Sequence, residues 1–295
     1  MATRERGELL GLLRPCFARV GPWLQAGKYV AALASDLPKR NGWTIAQQAG
    51  DRTPQRTQRL LNRAVWDTVA AMGVVRDFAV AGLDEAARRS GRRRGLRIGA
   101  VDETSQVKQG TATAGVKRHY VGCVGKVANG ISTVHLAYVR ERTGHALIGA
   151  RQWIPAGHLT DPVKPLAMGL PEDLVFRTKG QLAIDLLTET LTGGTRLDFV
   201  CGDEVDGSCT ELREFCEQAG QGYVLRVPLE LPPHAGARCH RDVRASRHPA
   251  AEGHTPLGGP RRGQGFQGRA LVCLGPGSHG QLPPPSADPP ASQDR

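Results

Sequence analysis

A compositional break near Pro228 limits what this chain can fold. Of its 295 residues, the 67 from Leu229 to Arg295 hold 11 of the 20 prolines, 5 of the 9 histidines and no lysine. Nine residues there are Leu, Val or Phe, without a period. So little apolar surface cannot offset chain entropy, and the stretch is expected to be disordered. A core is therefore sought in residues 1–228. The formal net charge of +11 divides the same way, with eight Arg against five acids putting +3 in the tail and leaving +8 for residues 1–228. A basic folding part makes a polyanion the first partner to consider.

Other classes fall away on simple grounds. No run approaches the ~18 apolar residues of a membrane span. Met1 to Gly7 lacks the basic-then-apolar order of a secretory signal. The seven cysteines are scattered, odd in number and contain no C-x-x-C. That argues against a disulfide framework and a structural zinc site, and fits a reducing, cytoplasmic setting. Cys239-His240 and the tail histidines likewise lack ligand spacing.

Residues 1–90 follow a helical pattern. Leu9, Leu10, Leu13, Phe17 and Val20 recur at helical spacing. Thr44-Ile45-Ala46-Gln47 has the form of a capping box, and Thr53-Pro54 that of a cap followed by a first-turn proline. From there Leu60, Leu61, Ala64 and Val65 form an apolar stripe, and a third helix is expected from about Asp67 through Leu83. Thr44–Val65 fits a helix-turn-helix with Gly50-Asp51 in the turn, which would set Gln55, Arg56, Gln58 and Arg59 toward DNA. The same spacing also fits a plain helical pair with a solvated arginine face. Arg88 to Gly95 is expected to be an exposed basic linker, whose Arg92, Arg93 and Arg94 either contact phosphates or remain solvated.

Beyond the linker the pattern changes to strands. Leu96–Asp102 is short, apolar and ends in an acid, and His119–Arg140 suits two strands around an Asn129-Gly130 turn. His145–Ile154 suits another strand, with Trp153, like Trp43, expected as a core anchor. Gln181–Leu191 suits a helix, Arg196–Asp203 a strand, Glu211–Ala219 a helix and Tyr223–Val227 a strand. This alternation indicates a mixed α/β sheet. Within it, Ile98-Gly99-Ala100-Val101-Asp102-Glu103 and Phe199-Val200-Cys201-Gly202-Asp203-Glu204 echo each other, each apolar and each stopping at Asp-Glu. Carboxylates at the ends of adjacent strands repel unless a cation lies between them, and Mg²⁺ accepts one or two carboxylates plus waters and phosphate oxygens. An Asp at a strand end also serves as a helix cap or opens a turn. Asp206 is assigned to a turn with Gly207 rather than to a metal.

The order of motifs then carries a resemblance. Asn41-Gly42-Trp43-Thr44-Ile45-Ala46-Gln47, Thr53-Pro54, Trp66-Asp67, Val101-Asp102-Glu103-Thr104 and Lys108-Gln109-Gly110 lead into Gly115-Val116-Lys117-Arg118-His119-Tyr120. Gly125-Lys126-Val127-Ala128-Asn129, Gly144-His145-Ala146-Leu147, Phe176-Arg177-Thr178-Lys179, Gly202-Asp203-Glu204-Val205-Asp206-Gly207 and Tyr223-Val224-Leu225 follow. From about Asn41 to Pro228 the chain resembles insertion-sequence transposases of the DDE superfamily.

The resemblance implies an RNase H-like mixed sheet after an all-helical N-terminal region. Asp102 would be the first catalytic aspartate and Asp203 the second, both as metal ligands in a two-metal site for Mg²⁺ or Mn²⁺. The partner would be double-stranded DNA at terminal inverted repeats, with homo-oligomers on the DNA left open and nucleoid association when bound. Lys108, Lys117, Arg118 and Lys126 would line a DNA channel or simply be exposed.

The family's third acid, a glutamate on a later helix, has no counterpart past Pro228, where Glu230, Asp242, Glu252, Asp288 and Asp294 lack helical context. A reading-frame shift near Pro228 or a little later would explain this loss. The expected parts are a helical DNA-binding region with linker at 1–95, an incomplete core at 96–228 and a low-complexity tail at 229–295. The expected activity is weak transposase-type cleavage. The alternatives are a DNA-binding fragment that inhibits the intact enzyme, or a gene remnant that folds poorly.

Overall fold

The computed structural model describes residues 2–92, 95–161 and 163–227, together with short strands at 238–240 and 271–274. The N-terminal part is helical as expected: α1 (Ala2–Leu12), α2 (Val20–Leu33), α3 (Gly42–Gln48), α4 (Gln55–Arg63) and α5 (Thr68–Arg89). Cys16, Phe17, Leu60 and Ala71 form a small core under Leu13, Trp23 and Tyr29, and the Phe17 ring stacks on Trp66 at 5.1 Å.

The cap of α3 is Asn41, not Thr44. Asn41 Oδ1 accepts from the Trp43 and Thr44 amides, while Thr44 Oγ1 accepts from the Asn41 amide, so Thr44 is the returning half of the box. Helix α4 begins after a buried Pro54 and has no side-chain cap, so Thr53 does not fill that role. Only part of the α4 stripe is buried. Leu60 turns inward, whereas Leu61 and Val65 are exposed. Asp67 caps α5 through the Ala70 amide at 2.8 Å. That helix takes in Arg88 and Arg89, which pair with Glu85, and this shortens the basic linker.

The sheet is built from β1 (Arg97–Val107), β2 (Lys117–Val121), β3 (Lys126–Arg140), β4 (Gly144–Gln152), β5 (Phe199–Gly202) and β6 (Tyr223–Val227). Helices α6 (Ala156–Leu159), α7 (Lys164–Met168) and α8 (Lys179–Thr192) join β4 to β5. Helices α9 (Glu204–Ser208) and α10 (Thr210–Gln218) join β5 to β6. Strand β3 runs antiparallel to β1 from Arg97↔Arg140 to Val107↔Gly130, and both β2 and β4 pair with its other edge. Strands β5 and β6 extend the sheet in parallel from β1. The order β4-β3-β1-β5-β6, with β3 the reversed strand, is that of an RNase H-like mixed sheet. Two further strands, β7 (Arg238–His240) and β8 (Leu271–Leu274), continue it, with β8 antiparallel to β6. These seven residues lie inside the stretch that composition marks as disordered. The rest of that stretch is outside the described residues.

Two local expectations are corrected. Asn129-Gly130 is not a turn but lies within β3. The reversal is made by Gly122–Gly125, where Gly125 adopts φ +64, a left-handed conformation that glycine takes without steric cost. Asp102 is not at a strand end either, since β1 continues five residues to Val107, fully paired with β3.

The main core lies between the sheet and α8 and α10. Val134, Leu136, Tyr138 and Ile148 meet Leu182, Leu186 and Leu187, with Leu212 and Tyr223 alongside. Helix α5 is fastened to this body by Asp84, which accepts from Tyr138 Oη at 2.8 Å and pairs with Arg140 Nε at 3.0 Å. Nearby, Arg97 and Asp198 tie the start of β1 to the approach to β5 at 2.8 Å. Burial opposes ionisation of Asp198, but its bonds to the Arg97 guanidinium and amide prevail and hold its carboxyl below the usual value. Asp84→Ala leaves Tyr138 and the buried Arg140 without this acceptor, and is expected to cost about 1–3 kcal/mol. Urea unfolding would measure the loss, and hydrogen exchange should show α5 opening first.

Candidate active site

The parallel pairing of β1 and β5 positions the two aspartates. Ile98↔Phe199, Gly99↔Val200 and Ala100↔Cys201 are partners. The same offset carried two residues further sets Asp102 beside Asp203. Asp102 accepts the Glu103 amide at 2.8 Å. Asp203 ends β5 and caps α9, its Oδ1 accepting from Val205 at 2.8 Å and Asp206 at 3.3 Å. The helix-cap role is thus real for Asp203, and it uses Oδ1 while leaving Oδ2 for another partner. His135 stands opposite Asp102 in the β1–β3 register.

Asp206 enters the same cleft. Asp102, Glu103, Asp203 and Asp206 line it with Lys179, Gly180, Val134 and Val205. Burial, then the neighbouring Asp203, Asp102 and Glu103 charges, push the Asp206 carboxyl up to about 6. Glycine makes the approach possible. A Cβ at Gly202 would lie 2.7 Å from the Asp206 Cβ, and one at Gly207 would overlap the Arg226 carbonyl oxygen where α9 meets β6. The spacing Gly202-Asp203-…-Asp206-Gly207 therefore encodes a tight strand-to-helix corner that turns two acids toward β1. Asp206 and Gly207 therefore lie in helix α9 rather than in a turn, and the Asp206 side chain enters the cleft.

Lys179 lies in the first turn of α8, fixed by the Thr178–Gln181 capping box. It pairs closely with Glu103 and sits 5.5 Å from the Trp153 ring, which Lys117 approaches at the same distance. Trp153 packs partly buried against the main core, as expected, whereas Trp43 is 67% exposed and anchors nothing. Nothing in the spacing around Thr178-Lys179 assigns Lys179 a role. The capping pattern Thr178-x-x-Gln181 was the available signal for its position.

The donor set fits a hard divalent cation in part. Two carboxylates from adjacent strands, with further acids crowding them, suit an ion that also keeps waters and phosphate oxygens. Among the described residues no group of three or more His, Cys, Asp or Glu side chains is arranged to enclose a metal. The chain thus provides an open two-carboxylate edge rather than a closed cage.

The expected DNA-contacting residues are distributed over two places. Gln55, Arg56, Gln58 and Arg59 are exposed on α4, continued by Asn62 and Arg63, while Thr57 accepts from Gln25 of α2 and Leu60 joins the small core with Cys16, Phe17 and Ala71. The Gly50-Asp51 turn is real, with Gly50 at φ +71 and Asp51 held by Lys28 at 2.8 Å and Gln25 at 2.9 Å. Lys28, chiefly by its hydrogen bond, keeps the Asp51 carboxyl below its usual value. In the sheet, Lys117 packs against the Trp153 ring that also faces Lys179, but it does not itself line the cleft, nor do Lys108, Arg118 and Lys126. Arg92 is exposed, and Arg93 and Arg94 are outside the described residues.

Two tests follow from this geometry. Gly207→Ala should cost about 1–3 kcal/mol through overpacking, read as a lowered Tm. A carboxyl whose pKa rises on folding binds its proton better in the folded chain, so its contribution falls as pH rises from about 4 to 6. Asp206→Asn should remove that fall and raise stability at pH 7 by on the order of 2 kcal/mol, seen in urea titrations with EDTA.

The family model described as DDE superfamily endonuclease matches residues 13–268, so the chain belongs to that family. Proteins of this superfamily generally use divalent metals. No curated protein matches the chain.

Proposed function

We propose that this DDE superfamily endonuclease is an insertion-sequence transposase acting on double-stranded DNA, with Asp102 and Asp203 as its catalytic carboxylates. The observation that carries this reading is the β1–β5 register, which sets the two acids side by side at the mouth of an RNase H-like sheet. A bound Mg²⁺ or Mn²⁺ pair would supply activation of a water, and then of a DNA 3′-hydroxyl, for in-line attack on a phosphodiester. Asp102, from mid-strand, and Asp203 Oδ2, from the capped start of α9, would hold the ions. Asp206 and Glu103 would deepen the negative field that draws them in.

The N-terminal helices would hold the terminal inverted repeat. Helix α4 presents Gln55, Arg56, Gln58 and Arg59 in the manner of a recognition helix, whose amides and guanidinium groups suit base edges and phosphates. Arg92 to Arg94 and Lys117 would add sequence-independent phosphate contacts. No helix among the described residues is long and apolar enough to cross a membrane.

The core is incomplete in this reading. After β6 the described chain returns as β8, antiparallel to it, and neither β7 nor β8 carries an acid. A reading-frame shift near or beyond Pro228 would account for the missing glutamate, and translation of the other two frames should restore a helix bearing it. The same observation favours a second reading, a fragment that binds element ends and inhibits the intact enzyme. The two separate cleanly in experiment. Weak Mg²⁺-dependent nicking of terminal repeats that Asp102→Ala abolishes is expected of the transposase, and binding without cleavage, unchanged in Asp102→Ala, of the inhibitory fragment. Robust cleavage abolished by Asp102→Ala would overturn the incomplete core, and absence of DNA binding would overturn both readings.

A further inference from the structure

We infer that Lys179 is a phosphate-positioning residue of this cleft, an inference that rests on the DNA-processing reading above. Among the described residues lining the cleft, four are carboxylates and Lys179 alone is cationic. A DNA phosphate approaching Asp102 and Asp203 meets repulsion from all four acids, and an ammonium within the cleft offsets part of it. Lys179 is built for that place. The capping box holds its backbone at the start of α8, its ammonium lies 5.5 Å from the Trp153 ring, and its side chain is 29% exposed, so an entering ligand can reach it. An ammonium has three donors and acts as a point charge toward phosphate, so Lys179 can keep Glu103 and donate to a phosphate oxygen together.

The path to the cleft supports the same role. Lys117, exposed on β2, approaches the same indole. Lys117, Trp153 and Lys179 thus form a row of alternating cation and ring leading from the sheet edge to the acids. With ammonium groups already packed against it, the Trp153 ring serves as a spacer for charge rather than a platform for a base. The competing explanation is purely internal, that Lys179 only neutralises Glu103.

The salt dependence of DNA binding separates these roles. The full chain is titrated with a fluorescein-labelled mixed-sequence duplex in EDTA, so that neither metal loading nor cleavage enters the reading. Each phosphate contact contributes a slope of about 0.9 in log K against log salt. Lys179→Met is expected to weaken binding and lower the slope by about that amount, Lys179→Arg to restore both, and the double variant Glu103→Gln with Lys179→Met to remain as weak as Lys179→Met. An unchanged slope in Lys179→Met, failure of the Arg variant, or recovery in the double variant would overturn the inference while leaving the transposase reading intact. No salt-dependent binding by the native chain would remove both. Thermal unfolding of each variant, expected to match the native chain, shows that any loss arises in the folded state.

Discussion

The pairing of β1 with its two neighbours is the constraint on which the rest of the structure depends. On one side eleven residues of β1 are locked to β3, and on the other three are aligned with β5. The long antiparallel ladder gives β1 a fixed face pattern, since a one-residue slip would invert every side chain. The short parallel ladder transfers that pattern to β5 and so to Asp203. Arg97 and Asp198 pin the beginning of this alignment from the side opposite the acids. The placement of the two carboxylates in this chain is therefore a consequence of register, established several residues away from them.

Electrostatic strain is the counterpart of that order. Four carboxylates share one small cleft, and the fold relieves their repulsion in three local ways. Asp203 spends one oxygen on the amides at the start of α9, where the helix dipole favours negative charge. Glu103 pairs with Lys179. Asp206, the most enclosed and most surrounded by like charge, holds its proton more tightly. Such an arrangement is stable enough to fold and still unsatisfied enough to attract a cation, which is the general condition of a metal-dependent hydrolytic site.

Much of this was legible in the sequence because it depends on local chemistry. The apolar run before Asp203, the helical periodicity of α8 and the start of a helix at about Asp67 appear where the residues indicate them. The misreadings share a different cause. Asn129-Gly130 has the best local turn signal in its region, yet the β1 partner holds it in strand and the reversal falls to Gly122–Gly125, where a Cβ-free residue can take positive φ. Thr44 was assigned the cap because its own sequence context allows it, but Asn41 competes for the same amides and wins. The direction of Asp206 and the place of Lys179 depend on how α9 and α8 pack onto the sheet, and no spacing rule reports that.

The same logic explains how the two halves can act together. Helix α5 belongs by sequence to the helical region and by contact to both bodies: Ala71 and Val74 pack near the small core, while Ala79, Val80 and Leu83 pack on the large one. Asp84 then closes the joint through Tyr138 and Arg140 on β3, the strand that also aligns β1. Helix α4 is thus joined by a continuous packed path through α5 to β3 rather than by a linker. The exposed arginine residues of α4 and the acids of the cleft stand at the two ends of this path. The packing of α5 on both cores therefore fixes where the basic face of α4 stands relative to the acidic cleft.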